Sequence, residues 1–232
     1  QHVGITLFLI ILCAQFSQAQ TTTPKVAVNY GNSYVLNEEG EVYSFGHNQW
    51  GGLGQGNINR ADIFGAVDLS NLGGKKIWKL GEGTSRFHQL MIAEDSTLIG
   101  YGFNGNYPLG SSVSTGEILA PVQLNPAALA GRKVVQAVQT TDLSYALTDS
   151  GYVFVAGEDP NDYAGLGTTT SSIQSFTQID TAGFNGEKIV KISSSRDHRL
   201  FLSENGNVFA AGRNLNGELS INVATTGEST PV

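Results

Sequence analysis

The chain has 232 residues, of which 40% are hydrophobic and 14% charged, and its formal net charge is −7. Proteins that bind duplex DNA cluster their lysine and arginine, whereas the 13 basic residues here are scattered among 20 acidic ones, so nucleic acid is excluded as an expected partner. Glycine supplies 29 residues, about twice its usual share, as tight turns between short strands require.

The N-terminus predicts export. Residues 3–16 form a largely apolar run, and the segment Ser17-Gln18-Ala19 follows with small residues at the two positions that a signal peptidase reads. The run is short for a membrane span, which needs about 20 residues, and its layout is that of a secretory signal peptide. We therefore expect a signal peptide over residues 1–19, a short linker over 20–24 and no stable membrane insertion after cleavage.

Two details of this segment qualify the interpretation. The basic stretch that usually precedes the apolar run is missing and the chain opens on Gln1, which indicates a start truncated upstream. A lipoprotein is the alternative, because Cys13 could accept a lipid, but the preceding Leu12 is not the small residue that such a site favours. With cleavage after Ala19 the mature chain has no cysteine, and we expect it to be secreted, or cell-surface or periplasmic.

One phrase recurs four times along the remaining chain. It centres on a glycine that ends a short apolar strand, at Gly46, Gly102, Gly157 and Gly212, with spacings of 56, 55 and 55 residues. Upstream of each glycine, a polar cluster separates two apolar runs, at residues 37–40, 93–96, 148–151 and 203–206. Such clusters predict β-hairpin turns, and a period near 50 residues indicates a propeller or a repeat array.

A second element follows each of these glycines. Leu53-Gly54 and Leu109-Gly110 stand at the same distance from it, Leu166-Gly167 comes two residues late after an apparent insertion over 158–163, and Leu219-Ser220 is again in phase. Four short strands and their turns fill about 55 residues. The sequence therefore predicts an all-β fold of four units over residues 25–232, with the last unit incomplete.

The motif after each glycine carries a family resemblance. It is most complete over 46–54, Gly-His-Asn-Gln-Trp-Gly-Gly-Leu-Gly, and over 212–219, while His88 and His198 each lie 14 residues before their glycine. This pattern resembles the repeat of the regulator of chromosome condensation family, although Asn32 and Leu143 replace the histidine in the other two copies. Kelch and WD-type propellers compete, but their glycine-pair and Trp-Asp signatures are not found in phase.

The resemblance implies a β-propeller, usually of seven blades. A ring of that size needs about 385 residues at this repeat length, and four units cannot close it. We therefore expect an N-terminal fragment that forms an open arc of blades rather than a closed ring.

The sequence offers little for catalysis or metal binding. Asp159, Asn161 and Asp162 could supply calcium ligands, but Thr170 stands where a calcium hand needs glutamate, so a solvated turn is favoured. His88 and His198 share one repeat phase and are interpreted as structural histidines of an inner strand. Serines are frequent without a Gly-x-Ser-x-Gly elbow. We expect no enzyme activity, no cofactor and no metal.

Other repeat positions are also interpreted as structural. They are Gly46, Gly54, Gly102, Gly110, Gly157, Gly167 and Gly212.

Binding is the better hypothesis, because a propeller presents one set of loops per blade on a shared face. Aromatic and arginine side chains are the usual interface anchors, and these loops carry Trp50, Tyr107, Tyr163 and Arg213. Packing of Trp50 and Tyr107 between blades is an equally weighted alternative.

The predicted function is an exported, non-catalytic protein-interaction module that binds an unknown protein or a surface glycan. The resemblance also implies two alternatives. The first is an inhibitor of an extracellular enzyme, and the second is a guanine-nucleotide exchange factor-like regulator. The signal peptide and the acidic charge disfavour the second.

Overall fold

The structure is a computed structural model that describes residue 22 and residues 25–168, 170–221 and 227–232. The predicted signal peptide, Cys13 and all of the predicted linker except Thr22 lie outside these residues. No helix in the described part of the chain is long and apolar enough to cross a membrane.

The described residues form four sheets, whose four main strands are antiparallel and which we call blades 1 to 4 in chain order. Blade 1 contains β1 (Lys25–Val28), β2 (Asn32–Leu36), β3 (Val42–Gly46) and β4 (Ala61–Ala66). Blade 2 contains β5 (Ile77–Leu80), β7 (His88–Ala93), β8 (Leu98–Phe103) and β9 (Glu117–Gln123), and the short β6 (Glu82–Gly83) follows β5 in the chain but pairs with the sheet of blade 3.

Blade 3 contains β10 (Val134–Gln139), β11 (Leu143–Thr148), β12 (Val153–Glu158) and β13 (Ser172–Gln178). Blade 4 contains β14 (Ile189–Ser194), β15 (His198–Ser203), β16 (Val208–Arg213) and β17 (Gly227–Glu228). The described 3₁₀ turns are Gln49–Gly51, Ser70–Leu72 and Thr181–Phe184. The predicted all-β fold of four repeated units is confirmed.

The hairpins between the second and third strands lie where the polar clusters predict them. Three of these turns place a glycine at positive φ, Gly40, Gly151 and Gly206, and blade 2 places Ser96 there at φ 66°. A left-handed residue closes a tight turn at little cost when it is glycine. The glycine that ends each third strand has a stricter role, since a Cβ on Gly102 would lie 2.3 Å from the carbonyl oxygen of Phe87.

The core consists of three apolar layers, each between two consecutive blades. The first joins blades 1 and 2, the second joins blades 2 and 3, and the third joins blades 3 and 4. Between blades 2 and 3, β6 pairs in parallel with β10. Each blade therefore turns about a common axis and packs its faces on its neighbours, as a propeller requires.

The two end blades show that the arc is open. Alternate side chains of a strand point to opposite faces, so residue 90 on β7 and residue 200 on β15 take equivalent places on the same face of their blades. Leu90 is fully buried against blade 3, whereas Leu200 is 38% exposed on the outer face of blade 4. At the other end, Val26 and Val28 on β1 are each 73% exposed. The predicted open arrangement is confirmed.

Candidate interaction site on the loop face

The loops that follow the first and third strands of each blade meet at one end of the arc. This follows from antiparallel pairing, because the end of the third strand lies beside the start of the second. Each blade closes this end with one backbone hydrogen bond of 2.8–3.0 Å, which runs from the N–H of the residue after the repeat glycine to the carbonyl just before the second strand. The four pairs are His47 to Gly31, Phe103 to Phe87, Glu158 to Asp142 and Arg213 to Asp197. We call this end the loop face and the opposite end, with the hairpin turns, the hairpin face.

A buried amide or carboxylate organises each long loop of the loop face. Asn48, Asn104 and Asn214 accept a hydrogen bond from the backbone N–H five residues later, at 2.9, 2.8 and 3.0 Å. All three are at most 1% exposed. A loop carries backbone polar groups that need partners once they are buried, and this side chain supplies one in each blade.

Asp159 has the same role in blade 3. Its carboxylate accepts hydrogen bonds from the backbone N–H groups of Tyr163 and Ala164, at 2.7 and 2.8 Å. The residue is only 5% exposed, so the solvated turn expected from the sequence is wrong at this position. Burial raises the pKa of Asp159, while the two N–H donors act in the opposite direction. Among the described residues, no group of three or more His, Cys, Asp or Glu could hold a metal ion.

These bonds also revise the phase of the third repeat. Leu53 and Leu109 donate their N–H to the organising asparagine, and in blade 3 the equivalent donor is Ala164. The glycine equivalent to Gly54 and Gly110 is therefore Gly165 rather than the expected Gly167, and all three have positive φ. The third loop keeps the repeat phase as far as Gly165, because Asp159 replaces the expected asparagine without an insertion.

His88 connects two blades beneath the loop face. It begins β7, the second strand of its blade, and not the innermost strand. Its Nδ1 lies 3.0 Å from the Ser85 hydroxyl and its Nε2 lies 2.8 Å from the Ser144 hydroxyl of blade 3. Burial lowers its pKa to about 3, so the ring is neutral at physiological pH. Because His88 is only 1% exposed, a structural role fits it better than proton transfer to a substrate.

His198 takes the equivalent place at the open end of the arc. Its Nδ1 lies 2.9 Å from the Ser195 hydroxyl, which repeats the contact between His88 and Ser85. His198 is only partly buried, since it belongs to the outer face of blade 4.

Trp50 joins the loops of two blades. Its ring centroid lies 5.3 Å from that of Phe103 and 6.3 Å from that of Phe87, and both partners belong to blade 2. The indole is half-buried, and it also borders an open cleft of about 660 Å³. The side chain therefore packs between blades and still presents an edge to the loop face.

The other three predicted anchors also lie on the loop face, one in each of the remaining blades. Tyr107 and Tyr163 are half-buried in the long loops of blades 2 and 3. The Arg213 guanidinium lies 3.6 Å from Asp197 and 3.8 Å from Glu218, so it has acidic partners within its own blade. The structure thus places all four predicted anchors at one end of the arc but does not bring them into one cluster.

Sequence reasoning missed the part of the loop face nearest the propeller axis. The loops between the first and second strands carry Tyr30, Arg86, Thr141 and Arg196, each two residues before the second strand begins. Together with Thr84 and Phe87 they line a cleft of about 340 Å³, which we call the mouth cleft. Their common repeat phase was available as a signal, but only the packed blades bring the four positions together.

Comparisons with known proteins agree with this architecture. Residues 189–218 match the family model described as Regulator of chromosome condensation (RCC1) repeat. Mouse protein RCC2 is 26% identical over 193 residues, which cover 79% of this chain and 36% of that protein. The ultraviolet-B receptor UVR8 of Arabidopsis thaliana is 26% identical over 196 residues, which cover 84% of this chain and 42% of the receptor. The chain thus spans less than half the length of these relatives.

Solved structures show the same fold. Human WBSCR16 superposes with a TM-score of 0.79 and 24% identity, covering 91% of this chain and 52% of that one. The structure of Kap60 bound to yeast RCC1 (Prp20) matches with a TM-score of 0.72 and 19% identity, covering 90% of this chain and 48% of that one. These likenesses and the four repeated blades show the fold, a β-propeller. The chain is an RCC1-like β-propeller.

Proposed function

We propose that this chain is an exported, non-catalytic interaction module that recognises a protein partner through its loop face. The observation that carries the proposal is the convergence at one end of the arc of loops from all four blades, with aromatic and arginine side chains among them. Such side chains supply most of the binding energy at protein interfaces. A partner that spans several blades could engage several of these loops together.

A protein partner is favoured over a surface glycan by one comparison. The yeast RCC1 structure that resembles this chain is a complex with another protein, Kap60. The excess of 20 acidic over 13 basic residues argues against nucleic acid. Inhibition of an extracellular enzyme is one specific form that such recognition could take.

A non-catalytic role is supported by the way the chemically suggestive groups are used. His88 is buried between two serine hydroxyls, and Asp159 is occupied by backbone N–H groups. Both side chains therefore hold blades and loops in place.

Export rests on the sequence alone. The apolar run over residues 3–16 and the Ser17-Gln18-Ala19 segment support a cleaved signal peptide. N-terminal sequencing of protein collected from the culture medium of an expressing host tests this, and a first residue of Gln20 is expected. Retention of the chain in the cytosol would instead favour the regulator-like alternative, to which the RCC1 and RCC2 likenesses also point.

The recognition proposal is tested by paired variants that carry a new charge on one face each. Ile58, 55% exposed beside Trp50, becomes Ile58→Asp on the loop face, and the exposed Asn205 becomes Asn205→Asp on the hairpin face. Affinity capture followed by quantitative mass spectrometry should recover a protein with the unmodified chain and with Asn205→Asp, and lose it with Ile58→Asp. Loss with Asn205→Asp alone would contradict the proposal.

A further inference from the structure

The mouth cleft collects equivalent positions from all four blades. Tyr30 comes from blade 1, Arg86 from blade 2, Thr141 from blade 3 and Arg196 from blade 4, and the cleft has a volume of about 340 Å³. Its lining therefore combines guanidinium groups, hydroxyl groups and aromatic rings, without a carboxylate. This chemistry differs from the apolar layers between blades.

Arg86 is held by stacking rather than by an ion pair. Its guanidinium carbon lies 4.7 Å from the centroid of the Tyr30 ring and 5.1 Å from that of the Phe87 ring. Within the described part of the chain, no carboxylate lies within ion-pair distance of this guanidinium. Stacking on aromatic faces restrains a guanidinium and leaves its N–H edge able to bind a carboxylate with two parallel hydrogen bonds.

The opposite side of the mouth cleft has more balanced charge. Arg196 lies 3.8 Å from Asp197, and their side chains are 79% and 40% exposed, so water screens this pair. The pKa of Asp142 is raised, first by burial and then by the charge of Glu158, while Arg196 opposes the shift. An incoming anion is therefore attracted mainly to the Arg86 side.

We propose that the mouth cleft binds a carboxylate-bearing segment of a protein partner, with Arg86 as its anchor. The carboxylate pairs with the Arg86 guanidinium, the neighbouring part of the segment packs on Tyr30 and Phe87, and Arg196 and the hydroxyl groups of Thr84 and Thr141 surround it. This inference rests on the proposed recognition role of the loop face. It adds the chemistry of the partner, an acidic peptide segment.

The test is an NMR titration of the mature chain with a hexaglutamate peptide, followed at the Nε–Hε signals of arginine. Hexalysine and inorganic phosphate serve as comparison probes. We expect the Arg86 signal to move with hexaglutamate, to stay in place with hexalysine and to move less with phosphate. Affinity should fall about tenfold or more in Arg86→Gln, since a charge-assisted contact is lost, and less in Arg86→Lys, which keeps the charge without the planar stacking.

Arg132 offers a matched control away from the loop face. Its guanidinium carbon lies 4.3 Å from the centroid of the Tyr152 ring, so Arg132→Gln also removes a stacked arginine. This variant should bind hexaglutamate like the unmodified chain. Equal loss in both variants, no binding of hexaglutamate, or a stronger response to phosphate would overturn the inference.

The outcome can be separated from that of the proposed function, because the titration uses only the purified chain and a peptide. If a protein is captured through the loop face and hexaglutamate does not bind, the acidic-segment inference fails alone. If hexaglutamate binds at Arg86 and no protein is captured through the loop face, the recognition proposal fails instead.

Discussion

Because the arc is open, alanine substitutions of Leu90 and Leu200 should differ in their effect on stability, although the two residues occupy the same position of the repeat. Leu90 is the third residue of β7 and Leu200 is the third residue of β15. Leu90 is fully buried in the apolar layer between blades 2 and 3, whereas Leu200 is 38% exposed. Alanine should therefore destabilise the fold strongly at residue 90 and weakly at residue 200.

The expected magnitudes follow from burial. Replacing a fully buried leucine with alanine removes apolar contacts and leaves a cavity, which costs about 3 kcal/mol within a range of roughly 2 to 5. Leu200 has no apolar layer on its outer side, so its loss should cost less than about 1 kcal/mol. The two free energies of unfolding should differ by about 2 kcal/mol.

Urea unfolding measures both values through the shift in the transition midpoint. Tryptophan fluorescence and far-ultraviolet circular dichroism should be followed together, because repeat proteins can unfold in stages and a single free energy then has no clear meaning. Measurement at several protein concentrations controls for self-association. Equal destabilisation by the two substitutions would refute the reasoning, since it would mean that the outer face of blade 4 is covered.

Three further predictions concern the groups that hold the loop face. In the unfolded chain His88 binds a proton near pH 6.5, whereas in the folded protein burial keeps it neutral down to about pH 3. As the pH falls between these values, the free energy of unfolding should therefore fall by up to about 1.4 kcal/mol per pH unit. Urea unfolding at several pH values should show a weaker dependence of this free energy on pH in His88→Asn. Asn104→Ala should cost about 1–3 kcal/mol by the same assay, because the buried N–H of Leu109 loses its acceptor, whereas Asp159→Asn keeps one acceptor oxygen for the two N–H groups of Tyr163 and Ala164 and should cost less than Asp159→Ala. Gly102→Ala should lower the thermal midpoint well below that of the unmodified chain, since its φ of 100° and the Phe87 carbonyl leave no room for a Cβ; an unchanged midpoint in calorimetry would show that the backbone there can shift.

Much of the fold could be predicted from spacing. The glycine that ends each third strand needs a positive φ and close contact with a neighbouring loop, so it recurs at a fixed phase and marks every blade. At Gly102 the structure shows this requirement directly, with the Phe87 carbonyl beside the missing Cβ. The hairpin turns were predictable for the same reason, as a left-handed turn residue restricts the choice of amino acid.

The third repeat was harder to align because its loop keeps the hydrogen bond made in the other repeats but replaces the asparagine that accepts it with an aspartate. Asp159 accepts the same kind of backbone hydrogen bond as Asn48, yet a carboxylate beside Asn161 and Asp162 resembles a solvated acidic turn in sequence. Only the buried N–H donors reveal its role.

The mouth cleft could not be found from any single repeat. Tyr30, Arg86, Thr141 and Arg196 are chemically unlike one another, so their shared phase attracts no notice in a sequence. They line one cleft because the packed blades bring the loop before each second strand to the same end of the arc. The residues that line the cleft differ from one repeat to the next, whereas the sequence pattern consists of the residues that the repeats share.

The most direct test of recognition through the loop face is site-specific photo-crosslinking. A photoreactive residue is placed at Ile58 on the loop face or at Asn205 on the hairpin face, both exposed, and the mature chain is incubated with an extracellular extract of the source organism. A discrete crosslinked protein is expected with the probe at position 58, reduced by an excess of the unmodified chain. The same protein crosslinked from position 205 and not from position 58 would contradict recognition through the loop face.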